Sequence, residues 1–154
     1  MLKHIDLKYV RYVILDDGAR KNALFYLTKH ISGMLLMNNL SWKYAEDGVV
    51  IKVKNYNIPT LFDSSLFSEN YNNLKKLLKE YIIKKKRLTN VEIIEFVAKI
   101  GFRTQFTRSI LKEMKNNGLL RIKYKKSDKK RGFYVADGNW NEDLATIIYQ
   151  GGRN

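Results

Sequence analysis

The order of apolar and polar positions changes character near the middle of the chain. Residues 7–15 mix apolar with basic side chains and predict a strand. Asp16-Asp17-Gly18 follows as a turn signal, and residues 22–28 are apolar and aromatic enough for a second strand, so the pair predicts a β-hairpin. Ile31, Met34, Leu35, Leu36, Leu40 and Trp42 recur closer to helical than to strand spacing, predicting a helix over 31–44. A short strand over 49–54 is expected after the Glu46-Asp47-Gly48 turn. Residues 55–65, which hold the single proline, Pro59, read as the connection between domains.

Beyond that connection the period is helical. Ser68 is placed to cap a helix in which Tyr71, Leu74, Leu78, Tyr81 and Ile82 form an apolar stripe, closed by Lys84-Lys85-Lys86-Arg87. The basic run reads first as a solvated helix end whose charge complements the macrodipole. Thr89-Asn90-Val91-Glu92 fits a capping box, with the Thr89 hydroxyl taking one free N–H while Glu92 reaches back. The helix it opens turns Ile93, Ile94, Phe96, Val97 and Ile100 inward and ends at Gly101. A third helix is expected over 104–117, stopped by Asn116-Asn117-Gly118. Residues 119–126 read as a strand, 132–136 as its return and 127–131 as the turn between them, while 141–152 carry the pattern of a short capped helix. The expected class is therefore α+β, with a hairpin–helix–strand region over 1–60, a winged helix-turn-helix over 61–138, and a C-terminal helix and tail over 139–154.

Charge sharpens this picture. The chain holds 29 Lys+Arg against 15 Asp+Glu, a formal net charge of +14. Residues 1–66 hold 9 basic and 6 acidic side chains, and residues 67–154 hold 20 and 9, so the excess sits in the winged half. A basic excess confined to one folded half suggests a face for a polyanion. A lysine-rich surface from compositional bias, consistent with abundant Asn, Tyr, Ile and Lys, is the alternative.

Arrangement favours the polyanion. On the third helix Phe106, Ile110, Leu111 and Met114 share one side, while Thr104, Arg108, Lys112 and Lys115 fall opposite, flanked by Gln105, with Arg103 just before them and Glu113 towards the inner edge. Such a face offers cations to phosphates and Arg or Gln forks to base edges. From Arg121 to Arg131 there are seven basic residues and one acidic one. A hairpin there, with Lys123, Lys125 and Lys126 on its strand and Lys129, Lys130 and Arg131 at its tip, would be a wing lying along the backbone. Double-stranded DNA is the expected partner and RNA the alternative polyanion.

Residues 23–37, Ala23 through Met37, resemble a segment of the three-Cys-motif partner proteins, in which an apolar strand runs through a His-containing turn into a helix carrying Gly and Met. Residues 91–97 and 108–119 look like that family's C-terminal winged helix. The resemblance implies the winged-helix tail and an association with mobile-element or defence systems. It does not imply methyl transfer: Ile31 stands where the family has a proline after the histidine, and no Gly-rich loop after a strand is present to hold S-adenosylmethionine.

Chemistry is otherwise sparse. Cysteine is absent, which excludes disulfides and thiolate metal sites, and His4 and His30 show no ligand spacing. His30 reads as a capping or packing residue, and Asp16 and Asp17 as turn formers before an acid–base pair. No P-loop or nucleophile-elbow motif occurs. Trp42 and Trp140 read as partly buried residues before base-stacking ones. The expectation is a cytoplasmic DNA-binding regulator, not an enzyme, with no cofactor, metal or membrane span. A homodimer or protein partner through the N-terminal region, or an accessory tail serving a methyltransferase-like chain, is the competing reading.

Overall fold

The computed structural model describes residues 7–52, 64–125 and 132–151, with side chains over 7–52, 68–125 and 132–151. The fold is α+β and divides into two compact units, Met1–Asn70 and Tyr71–Asn154. The expected connection over 55–65 falls almost wholly outside the described residues, as do His4 and Asp6.

In the first unit, β1 (Tyr9–Asp16) and β2 (Lys21–Thr28) form the expected antiparallel hairpin. Both aspartates build its turn: Asp16 Oδ1 accepts from the Gly18 amide at 2.9 Å, and Asp17 Oδ1 from those of Ala19 and Arg20 at 2.9 and 2.6 Å. The Gly18 amide, with help from Lys21, holds the Asp16 carboxyl below the ordinary carboxylate range. Helix α1 (Ile31–Tyr44) buries Ile31, Met34 and Leu35. His30 is its N-cap by position, but its side chain makes no capping bond. The Thr28 hydroxyl instead receives the His30 amide at 3.1 Å. Strand β3 (Val50–Lys52) adds parallel to β1, giving the order β2-β1-β3. Arg11 on β1, half-buried, donates to the Gly48 carbonyl at 2.8 Å and so ties the turn before β3 to the sheet.

One face of this sheet buries Tyr9 and Val13, on the side that approaches α1 at Gly33 through Tyr26 and Thr28. The alternation of strand side chains puts Val10, Tyr12, Phe25 and Leu27 on the other face. They remain 57%, 49%, 61% and 48% exposed, an uncovered apolar surface on a sheet whose edge is β2.

The second unit runs helix–strand–helix–helix–strand–strand. Helix α2 (Ser64–Lys85), which starts in the first unit, buries Leu74, Leu78 and Ile82. Lys86, at φ 60, stops it: its amide reaches the Ile82 carbonyl at 2.8 Å, and its own carbonyl accepts from the Tyr149 amide at 2.8 Å. Strand β4 (Arg87–Thr89) follows, an element the helical pattern concealed. Thr89 also caps α3 (Asn90–Lys99), and the expected capping box with Glu92 is complete. Helix α4 (Thr104–Asn116) comes after a four-residue turn over 100–103. Both α3 and α4 end on a glycine at positive φ, Gly101 and Gly118, with Phe102 and Leu119 amides reaching back to Val97 and Met114. These are Schellman stops, which a side chain at either glycine would strain.

Two expectations about the C-terminal segment are corrected. Residues 132–136 are not a strand, and of the expected helix over 141–152 the described residues, 141–151, are not helical. The partner of β5 (Leu120–Tyr124) is β6 (Ala145–Tyr149), in register from Leu120↔Tyr149 to Tyr124↔Ala145. β6 also pairs with β4, so it is the central strand in the order β4-β6-β5. The segment assigned to a separate tail is thus the middle of the second unit's sheet. Its Ile147 is buried with Leu88, Ile93, Ile94, Val97, Ile110, Leu111 and Met114 in one core.

The excursion between β5 and β6 is held by a buried side chain. Asn90, fully enclosed at the start of α3, donates Nδ2 to the carbonyls of Glu142 and Tyr134 at 2.9 and 3.2 Å, with Asn139 at 3.4 Å. Its Oδ1 accepts from the amides of Leu144 and Ala145 at 2.9 and 3.2 Å. Those bonds, with burial of Phe133 and Val135, fold 133–144 back against the helices.

Candidate nucleic-acid interface

Helix α4 displays the clearest assembly of site residues. Ile110, Leu111 and Met114 are buried, and Thr107 with them, so the opposite arc faces outward. Gln105, Arg108, Lys112 and Lys115 are all exposed on that arc. Residues three and four apart on a helix are neighbours, and like charges there repel by about 0.2–0.5 kcal/mol per pair. No ion pair compensates Arg108, Lys112 or Lys115 among the described residues. The carboxylate nearest in sequence, Glu113, is engaged elsewhere, 2.6 Å from Lys75 and 3.5 Å from Lys79 of α2. The Lys75 hydrogen bond chiefly, then the charges of Lys75 and Lys79, outweigh desolvation and hold the Glu113 carboxyl below its ordinary range. Ser109 Oγ lies 2.8 Å from the Tyr71 hydroxyl, a second tie to α2. The 109/113 edge therefore fixes α4 in place and leaves its cationic arc open.

Thr104 departs from the expected outward face. It is 5% exposed, and its hydroxyl donates to Asp137 Oδ1 at 2.5 Å. It borders the cationic arc in angle, but the short 3-10 turn Asp137–Asn139 provides its hydrogen-bond partner and it is buried. Arg103 is the half-exposed N-cap of α4 and already has an interaction partner.

The wing residues separate into three groups. Lys123 is exposed on the outer face of the β4-β6-β5 sheet, opposite Thr146. Lys125 is ion-paired with Asp143, which reduces its charge available to a ligand. Lys126, Lys129, Lys130 and Arg131 lie outside the described residues. Two cations that were not singled out, Arg87 and Arg121, share the outer sheet face with Lys123. Alternation of side chains around Ile122 could have added Arg121; Arg87 needed knowledge of β4 and β6.

Elsewhere, Tyr81 and Phe96 stack at 4.0 Å between centroids beside Glu92, Glu95 and Lys99, lining a cavity of about 350 Å³. Burial, then the charges of Glu92 and Glu95, raise the Tyr81 phenol above its ordinary value. Among the described residues no three His, Cys, Asp or Glu side chains gather as metal ligands would. No described helix is long and apolar enough to cross a membrane. No family model, curated protein or solved structure significantly matches this chain, so the three-Cys-motif resemblance rests on its own residues.

Proposed function

We propose that the protein is a winged-helix DNA-binding protein, serving as a transcriptional regulator or a factor of a mobile element or defence system. The uncompensated stripe of Arg108, Lys112 and Lys115 with Gln105 on α4 carries this reading. In it, α4 enters the major groove, Arg108 and Gln105 read base edges, and Lys112 and Lys115 hold phosphates. The connection after β5, with Lys126, Lys129, Lys130 and Arg131 in its sequence, tracks the backbone. The helix–strand–helix–helix–strand–strand order and the short α3–α4 turn support this assignment. The test is selection of preferred duplexes from a random pool, followed by two variants. Arg108→Ala should weaken selected sites by about 1–3 kcal/mol and random DNA far less. Lys130→Ala should weaken both alike. Equal losses from the two variants, or no duplex binding at low salt, would refute the reading.

The uncovered sheet face favours a second property, pairing of two copies. Val10, Tyr12, Phe25 and Leu27 leave about half of their surfaces open. That is roughly 450 Å² of apolar area, close to the apolar share of the ~800 Å² each partner gives a standard interface. Packing of this face against its copy about a twofold axis would bury those four side chains on both partners. Phe25→Glu should convert a sedimenting dimer to a monomer. A wild-type protein that stays monomeric at tens of micromolar would remove this property without touching the first.

A further inference from the structure

The second unit carries another cationic surface, on the far side of its sheet from the core. Leu88 and Ile147 are buried, so their strand neighbours turn outward. The register aligns them in two rows across the sheet: Arg87–Ile148–Arg121 and Thr89–Thr146–Lys123. Arg87, Arg121 and Lys123 are exposed, and none makes a salt bridge among the described residues. The row positions include no acid. The acids beside them are occupied, Glu92 by the Thr89 capping box and Asp143 by Lys125. Lys84, Lys85 and Lys86, all exposed, lead directly into Arg87 and extend the positive surface at that end.

Geometry gives the class of partner. Two residues along a strand are about 7 Å apart and two strands across about 10 Å. Three cations spread over that area exceed the span of one carboxylate, and they match a strand that carries a phosphate about every 3.4 Å of axis. The face offers a single apolar side chain, the half-buried Ile148, so it has no anchor for inserting into a bilayer. The sheet and α4 bury their opposite sides in the same core, so their charged faces diverge.

We propose that the outer face of this sheet, through Arg87, Arg121 and Lys123, is a second phosphate-backbone site, by which one molecule holds a second nucleic-acid segment. This rests on the reading of α4 as a DNA-binding helix, and the experiment separates the two. Two 20-bp duplexes, one labelled with a donor and one with an acceptor fluorophore, are mixed with the full chain in low salt under conditions where it sediments as a single copy. Energy transfer is expected with wild type. Arg87→Ala/Arg121→Ala should lose at least tenfold of the transfer while keeping single-duplex affinity within about threefold. Arg87→Lys/Arg121→Lys, which keeps the charge and guards against a folding defect, should retain transfer. If wild type binds no duplex, the α4 reading falls and takes this one with it. If wild type binds one duplex but never bridges, or if Arg87→Ala/Arg121→Ala loses single-duplex affinity in step with transfer, the second site alone is overturned. Abolition of transfer by polyglutamate at equal charge concentration would assign the face to an acidic protein and likewise overturn it.

Discussion

Replacing Asn90 with alanine tests whether one enclosed amide holds the segment before β6. Its two N–H groups and two acceptor positions are all used, by the carbonyls of Tyr134, Asn139 and Glu142 and the amides of Leu144 and Ala145. Each buried hydrogen bond contributes about 1 kcal/mol net, and backbone groups stranded without a partner cost more. Alanine is the better helix former by up to about 0.7 kcal/mol, which offsets part of the loss. The expected destabilisation is about 3–4 kcal/mol, a large share of the 5–15 kcal/mol typical of a domain. With a urea slope of about 2 kcal/mol/M, the midpoint should fall by roughly 2 M. Hydrogen exchange should show amides of 133–145 losing protection first, with α2 protected to higher denaturant. Asn90→Asp should be no better, since it places a carboxylate against three carbonyl oxygens. A loss below about 1 kcal/mol would mean that Phe133 and Val135 dock this segment unaided, and the reasoning would be refuted.

Three further outcomes are expected. Lys86→Gly should raise Tm by a few degrees, because a left-handed conformation costs a non-glycine residue about 1–2 kcal/mol. Lys86→Ala should give no such gain, and a fall in Tm with glycine would contradict the account. Thr104→Val should cost about 1–2 kcal/mol by removing the hydroxyl that bonds Asp137, yet leave duplex affinity unchanged in a fluorescence titration. A loss of affinity with stability intact would return Thr104 to the interface. The lowered Glu113 carboxyl gives stability that is present above its unfolded-state value and lost as pH falls through its folded-state value. Glu113→Gln should therefore lower stability at neutral pH and merge with wild type in acid. Curves that stay parallel down the acid limb would show that the Lys75 and Lys79 pairs contribute nothing.

Signals carried within one or two helical turns were legible. The α1 boundaries, the capping box at Thr89 and the stops at Gly101 and Gly118 all follow from neighbours in sequence. So does the inner face of α4, since Ile110, Leu111 and Met114 repeat at helical spacing. What failed depended on distant partners. Asn141-Glu142-Asp143 looks like a helix cap, yet Thr146, Ile147, Ile148 and Tyr149 are β-branched or aromatic and pair with strands from residues 87–89 and 120–124. Residues 132–136 seemed the return strand because they stand nearest to β5. Their amides and carbonyls are instead part of a loop pinned by Asn90, whose role no local pattern signals. Thr104 differs from its expected exposure for the same reason: its helical angle borders the outer arc, but it is buried and bonded to a partner 33 residues away. The charge on α4 could be read, but its lack of compensation could not, because Glu113 had first to be seen occupied by Lys75 and Lys79.

The affinity for duplex DNA across a salt series tests the central claim most directly. A protein that neutralises about six phosphates should show log K falling against log salt with a slope near −5. Lys112→Ala/Lys115→Ala should bring that slope to about −3.6, since two phosphate contacts are removed. Binding that is absent at low salt, or a slope near zero in the wild-type protein, would contradict the assignment of α4 as a nucleic-acid-binding helix.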